Sequence, residues 1–218
     1  MSKEKYVMPT IDRRPLNVIV YENLKKMIIG GEIEPESKLT EQEVAKSMNV
    51  SATPVREAFR RLASDGLVKI IPWKGVIVQS FSHNEIKDAY ECREALESQA
   101  IRLATEYIDE EGIKLLKNLL NESEKCIGDD RFIEVNTEIH NLIIQYSKNK
   151  KIKEILNSFR EIIYNHRNFS ACNIERAQNI YNEHKEIIQA IENRDVELSD
   201  RLIRRHIKNG YEYIKNRK

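Results

Sequence analysis

At 218 residues, with 33% charged and 40% apolar side chains and a formal charge of +1, the chain has the make-up of a helix-rich globular protein long enough for two small domains. The charge excludes bulk attraction to a polyanion: residues 1–80 carry 13 Lys/Arg against 10 Asp/Glu, and residues 81–218 carry 23 against 25, so nucleic-acid affinity must come from local placement of cations. No apolar run reaches membrane-spanning length and the first residues lack the apolar core of a signal peptide, while Cys92, Cys126 and Cys172 are odd in number and form no CxxC pair, as expected of reduced, mostly buried thiols in a cytoplasmic protein.

Residues 1–15, with Arg13 and Arg14 before Pro15, are expected to form a flexible arm. A first helix follows on the apolar spacing Leu16, Val20, Leu24, Met27 and Ile28, and Gly30-Gly31 stops it. Thr40 and Glu43 have the spacing of a capping box, which predicts a short second helix ending near Met48-Asn49. A third starts between Ser51 and Pro54, turns Val55, Ala58, Phe59 and Leu62 inward, and leaves Thr53, Arg56, Arg60 and Arg61 on the polar face. Two β-branched strands, Val68–Ile71 and Val76–Val78, then flank the turn Pro72-Trp73-Lys74-Gly75.

Two short helices and a basic hairpin make a winged helix-turn-helix over 16–79, an arrangement that places one helix in the DNA major groove. Thr53 suits a phosphate, and Arg56 suits either a guanine edge or a phosphate. Arg60, Gln42 on the preceding helix and Lys74 at the wing tip complete the expected double-stranded DNA contacts. The alternative is a winged helix used for protein contacts, its arginines merely solvated.

From Ser82 the period is helical to the end. Ser82 and Glu85 form a second capping box, and six helices are predicted over 83–107, 109–127, 131–147, 150–170, 175–192 and 195–215, with no strand, joined to the wing by the short linker Gln79 to Ser82. The fold class is therefore mainly α: a winged helix-turn-helix over 16–79 and an all-helical bundle over 80–218. Asn136 and His140 share a helix face with Ile133 and Ile143; His184 aligns with Ile180, Ile187 and Ile191; His206 aligns with Leu202 and Ile203. Three imidazoles and a side-chain oxygen inside one bundle could hold a divalent metal with a position open for ligand, although a lone histidine on an apolar stripe is often a satisfied core residue, as His166 on the stripe of Phe159, Ile162 and Ile163 illustrates. His83, near a helix start, is expected to be exposed. Arg93, in phase with Ile86, Ala89, Leu96 and Ala100, either pairs with Glu97 four residues on or aims a guanidinium at an acidic ligand.

Residues 16–79 resemble the DNA-binding domain of the GntR family of bacterial transcription regulators, on the run Gly31 to Leu39 (G-x-I-x-P-x-x-x-L), LTEQEVA and VSATPVREAFRRLASDGLV. One departure is Ala52, where the family signature usually has a DNA-contacting arginine; Arg56, Thr53 and the wing must then carry more of the recognition. Residues 83–215 resemble the FCD domain of the family's FadR subfamily, on Tyr90 to Ala100 (Y-x-x-R-x-x-L-E-x-x-A), Asn136 to His140 (N-x-x-x-H), His184 to Ile191 and His206-Ile207. The resemblance implies a divalent metal, zinc with nickel or manganese as alternatives, held by Asn136, His140, His184 and His206, with Asn136 in place of the frequent aspartate. It also implies that 80–218 is a ligand-sensing domain for a small organic acid effector contacted by Arg93, in a ligand-responsive regulator, a repressor rather than an enzyme. Two-fold operators require two reading heads, so a homodimer is expected, with the helical domain as its dimerisation unit. Two alternatives stay open: the same regulator with no functional metal, or a hydrolase built on a three-histidine metal centre.

Overall fold

The computed structural model describes residues 14–129, 131–171 and 173–215, so most of the arm expected over 1–15, and Cys172, lie outside the described residues. The chain divides into two compact units at the Val78–Gln79 junction.

The first unit runs α1 (Leu16–Ile29), β1 (Lys38–Leu39), α2 (Glu41–Met48), α3 (Ala52–Ser64), β2 (Val68–Ile71) and β3 (Gly75–Val78). Thr40 and Glu43 cap α2 reciprocally, and Asn49 ends it in the left-handed region (φ 53°), the conformation that lets the chain turn sharply into α3. Val55, Ala58, Phe59 and Leu62 of α3 are buried together with Val20, Leu24 and Ile28 of α1. The buried face of α1 differs from the expected one. Leu16 and Met27 are exposed, and Tyr21 is buried instead, its hydroxyl donating to Asp65 beyond α3 and its ring lying under Arg61.

The wing is a three-stranded antiparallel sheet of order β1-β3-β2, with Lys38 opposite Ile77 and Val68 opposite Val78. The two-residue β1 is too short to leave a period in the sequence. Gly75 is required where it stands: φ is +93°, and a Cβ there would lie 2.1 Å from the Leu39 carbonyl oxygen of β1.

The second unit contains seven helices among the described residues: α4 (His83–Tyr107), α5 (Glu110–Lys125), α6 (Arg131–Tyr146), α7 (Lys150–Ser158), α8 (Arg160–Ala171), α9 (Ile174–Glu192) and α10 (Val196–Lys215). The Ser82–Glu85 capping box opens α4. The core joins Ile101, Ala104 and Ile108 of α4 to Leu116 of α5, Ile139 and Ile143 of α6, Ile187 and Ile191 of α9, and Ile203 and Ile207 of α10. The helix expected over 150–170 is two. Phe159 (φ −99°, ψ 6°) turns its N–H back to Leu156 and Asn157, and the Ser158 hydroxyl bonds the Ile155 carbonyl, so the ladder breaks without proline or glycine. No helix among the described residues is long and apolar enough to cross a membrane.

Candidate functional site

In the first unit the expected DNA-contacting side chains Thr53, Arg56, Arg60, Gln42 and Lys74 are all exposed. Arg56 is not idle: its guanidinium forks onto Glu41 of α2, Nε to Oε1 at 2.9 Å and Nη2 to Oε2 at 2.7 Å. These bonds hold the Glu41 carboxyl below its ordinary pKa. The same fork geometry reads guanine or phosphate, so Glu41 occupies Arg56 in the way a nucleic acid would. Arg61, by contrast, lies 4.0 Å over the Tyr21 ring and belongs to the packing of α1. At the wing tip Trp73 is fully exposed, with φ +63°, beside Lys74.

In the second unit, α6, α9 and α10 each contribute one fully buried histidine. His140 Nε2 stands 3.3 Å from His184 Nε2 and 3.2 Å from His206 Nε2, and one ligand atom from each ring lies within 4.8 Å of the other two. The far nitrogens of two rings face carboxylates: His140 Nδ1 to Glu97 at 2.6 Å, and His206 Nδ1 to Glu183 at 2.6 Å. A carboxylate partner places the ring proton on Nδ1, which leaves the His140 and His206 Nε2 lone pairs pointing at each other. Burial lowers all three histidine pKa values, His140 to about 3, so charging the rings is an unfavourable way to relieve that opposition.

A divalent cation fits this donor set. Nitrogens about 2.0–2.1 Å from one tetrahedral zinc stand about 3.3–3.4 Å apart, close to the spacing observed. Asn136, one turn before His140 on α6, is buried with its Oδ1 unpartnered, the state expected of an oxygen reserved for a ligand. The four residues expected from sequence therefore fit a metal, three of them shown in mutual contact and Asn136 by its helix face and its orphaned oxygen.

Arg93 is buried and engaged within its own helix. Its Nε donates to Glu97 Oε1 at 2.6 Å, with the guanidinium 5.4 Å from the Tyr90 ring centre. Glu97 thus bridges Arg93 and His140; burial raises its pKa, and the Arg93 charge together with the hydrogen bond from His140 holds it well below the carboxylate norm. The pair is buried, not exposed as an ordinary i,i+4 pair is. A cavity of about 310 Å3 opens beside His140, bordered by Glu97, Thr137, His140, Tyr164 and Arg167. Arg167 is buried, and burial and the nearby Arg93 charge lower its pKa to about 10; its Nε and the Thr137 hydroxyl have no hydrogen-bond partner.

Sequence reasoning missed Glu183, Arg167 and Arg176. Glu183 accepts from His206, Arg176 and Asn209, bonds that outweigh burial and hold its pKa at about 2. Its signal was weak: it is in phase with Ile180 and Ile187 but at the margin of the stripe that carries His184, where a glutamate reads as a solvated residue. Arg167 was readable, being in phase with Arg160 and Ile163 on α8. His166 is a core residue as expected, stacked on Tyr90, and His83 is exposed as expected. Cys92 is exposed and Cys126, which ends α5, is half-buried against the cluster of Phe132, Ile133, Ala177 and Ile180, against the expectation of mostly buried thiols.

Residues 16–78 match the family described as bacterial regulatory proteins, gntR family, and residues 88–209 match the FCD domain. The HTH-type transcriptional regulator YdhC of Bacillus subtilis (strain 168) is 31% identical over 206 residues, spanning 93% of this chain and 92% of YdhC. The HTH-type transcriptional repressor RspR of Escherichia coli (strain K12) is 27% identical over 218 residues, spanning 99% and 94%. Among solved structures, E. coli McbR/YncC shares the fold with a TM-score of 0.64 at 21% identity, over 93% of this chain and 98% of that one. The family and these relatives are transcriptional regulators, not enzymes. The chain belongs to the gntR family of bacterial transcription regulators, with an N-terminal helix-turn-helix domain and a C-terminal FCD domain.

Proposed function

We propose that this regulator is a cytoplasmic homodimeric repressor released from, or driven onto, operator DNA by a small carboxylic acid bound beside a metal held by Asn136, His140, His184 and His206. The observation that carries the reading is the set of three Nε2 atoms turned toward one another while Glu97 and Glu183 hold two of the rings from behind. A bound divalent ion supplies Lewis-acid positions for the oxygens of an acid. Arg167, buried at the cavity wall with an unpartnered Nε, supplies the countercharge, and Glu97 ties that wall to Arg93 on α4. Ligand contact at Glu97 acts on the helix that continues, after four residues, from the wing. Coupling then arises as a change in the α4 geometry favoured with ligand bound. Two-fold operators need two reading heads, which supports a dimer, and the likeness to RspR, a transcriptional repressor, supports a repressor. Thr53, Arg56, Arg60, Gln42 and Lys74 are the proposed DNA contacts.

Elemental analysis of tag-free protein beside His140→Ala tests the metal. Stoichiometric metal lost in the variant supports the reading. Protein that stays metal-free after zinc addition sinks it. The neutral oxygen of Asn136 favours a second reading, in which the histidines form a dry core; chelators then leave both operator affinity and acid binding unchanged.

A further inference from the structure

The walls of the cavity divide by depth. Its buried floor carries Glu97, His140, Ile163 and Arg167, whereas Lys153 of α7 and Arg160 of α8 stand exposed at its rim. Among the described residues Glu97 is the only acid on the wall, and Arg93 and His140 already engage it. No ion pair is made by Lys153, Arg160 or Arg167 among the described residues, although neighbouring Lys151 pairs with Glu154. Arg160 and Arg167 are two turns apart on one face of α8, about 10 Å along its axis at 1.5 Å per residue. Ile144, Leu156 and Ile163 supply apolar wall to the same cavity.

One monoanion would leave this distribution over-provided with charge. Arg167 alone meets a single acid group at the floor, and two further cations without counter-charge remain at the rim. We infer that the effector of this cavity is a dianion on a short, partly apolar spacer, with one anionic group at Arg167 on the floor and the second at Lys153 and Arg160 on the rim. The inference rests on the effector reading above and names its ligand class. A volume of about 310 Å3 limits the spacer to a few carbons, being at the small end of the roughly 300–1,000 Å3 usual for ligand pockets. The rim arginine's fork accepts a carboxylate or a phosphoryl oxygen pair equally.

Calorimetric titration of the full-length protein compares dicarboxylates from succinate to suberate with monocarboxylates of matched length. At the best length the dicarboxylate binds about three- to tenfold more tightly, the range expected of two partly exposed charge pairs. In the Lys153→Gln, Arg160→Gln double variant the two series converge while monocarboxylate affinity holds, and Arg167→Gln weakens both. Phosphonoacetate against succinate reports whether the rim group is a phosphoryl or a carboxylate, and tighter binding of either than of acetate supports a dianion. Equal affinity of matched mono- and dicarboxylates, or an advantage that survives in the double variant, overturns the inference and leaves the effector reading standing. Failure of every acid to bind overturns both.

Discussion

Each unit holds an arginine–glutamate pair at its candidate site, and the two pairs have one chemistry in opposite surroundings. Arg56 and Glu41 meet at the surface, with half of the arginine side chain in water (53%), whereas Arg93 and Glu97 are 4% and 5% exposed. The surface pair is easily exchanged, because water screens both charges whether or not they touch. The buried pair is committed, since removing either partner strands a charge in a medium that cannot solvate it. A DNA-reading head needs the first kind, a cation kept in position until a phosphate or guanine replaces its partner. A ligand sensor needs the second, a fixed frame against which a bound acid can push.

The sharpest way to break this contrast is to neutralise each carboxylate. Glu97→Gln leaves Arg93 and His140 without their shared acid and should cost about 3–5 kcal/mol of sensor stability in denaturant unfolding. Glu41→Gln should leave the unfolding midpoint of the head unmoved. Equal effects from the two substitutions would show that burial is not what separates them.

Glu183 tests the same frame one helix away. Glu183→Gln keeps an acceptor for His206 Nδ1 but removes the charge, and zinc affinity measured by chelator competition should fall roughly 10–100-fold. Unchanged affinity would mean that this carboxylate orients no ligand. In the head, Arg56→Ala should weaken operator binding roughly ten- to a hundredfold, with relaxed preference at one base pair. Glu41→Gln, which frees the same guanidinium, should strengthen it. Weakening by both would reassign Glu41 from a competitor of DNA to a support for Arg56.

Much of this architecture was legible in the chain because local rules carry it. Thr40/Glu43 and Ser82/Glu85 announce helix starts through their own backbone bonds, and His140, His184 and His206 stand out as polar residues on apolar stripes. What escaped depends on partners distant in sequence. Glu97 is visible as a neighbour of Arg93, but its bond to His140 spans 43 residues. Glu183 meets His206 across 23 residues, and nothing at its own position signals that. The break at Phe159 carries no glycine or proline, so periodicity ran through it, and the cavity walled by α7 and α8 went unread with it.

The smallest expected effect sharpens the contrast at its exposed extreme, the wing. Lys74 has an exposed side chain at the tip and Trp73 beside it is wholly in solvent, so folding alone gives neither a packing reason to be there. If Lys74 meets a phosphate, Lys74→Ala weakens binding by a similar factor on every sequence tested and lowers the slope of log affinity against log salt by about 1. Trp73, the chain's one tryptophan, reports the same event optically, because its emission shifts or quenches only when something covers the wing tip. A salt slope unchanged in Lys74→Ala, together with constant Trp73 emission on adding operator, would place the wing outside the complex and leave recognition to α2 and α3. A changed slope with constant emission would keep Lys74 on the backbone and leave the indole in water.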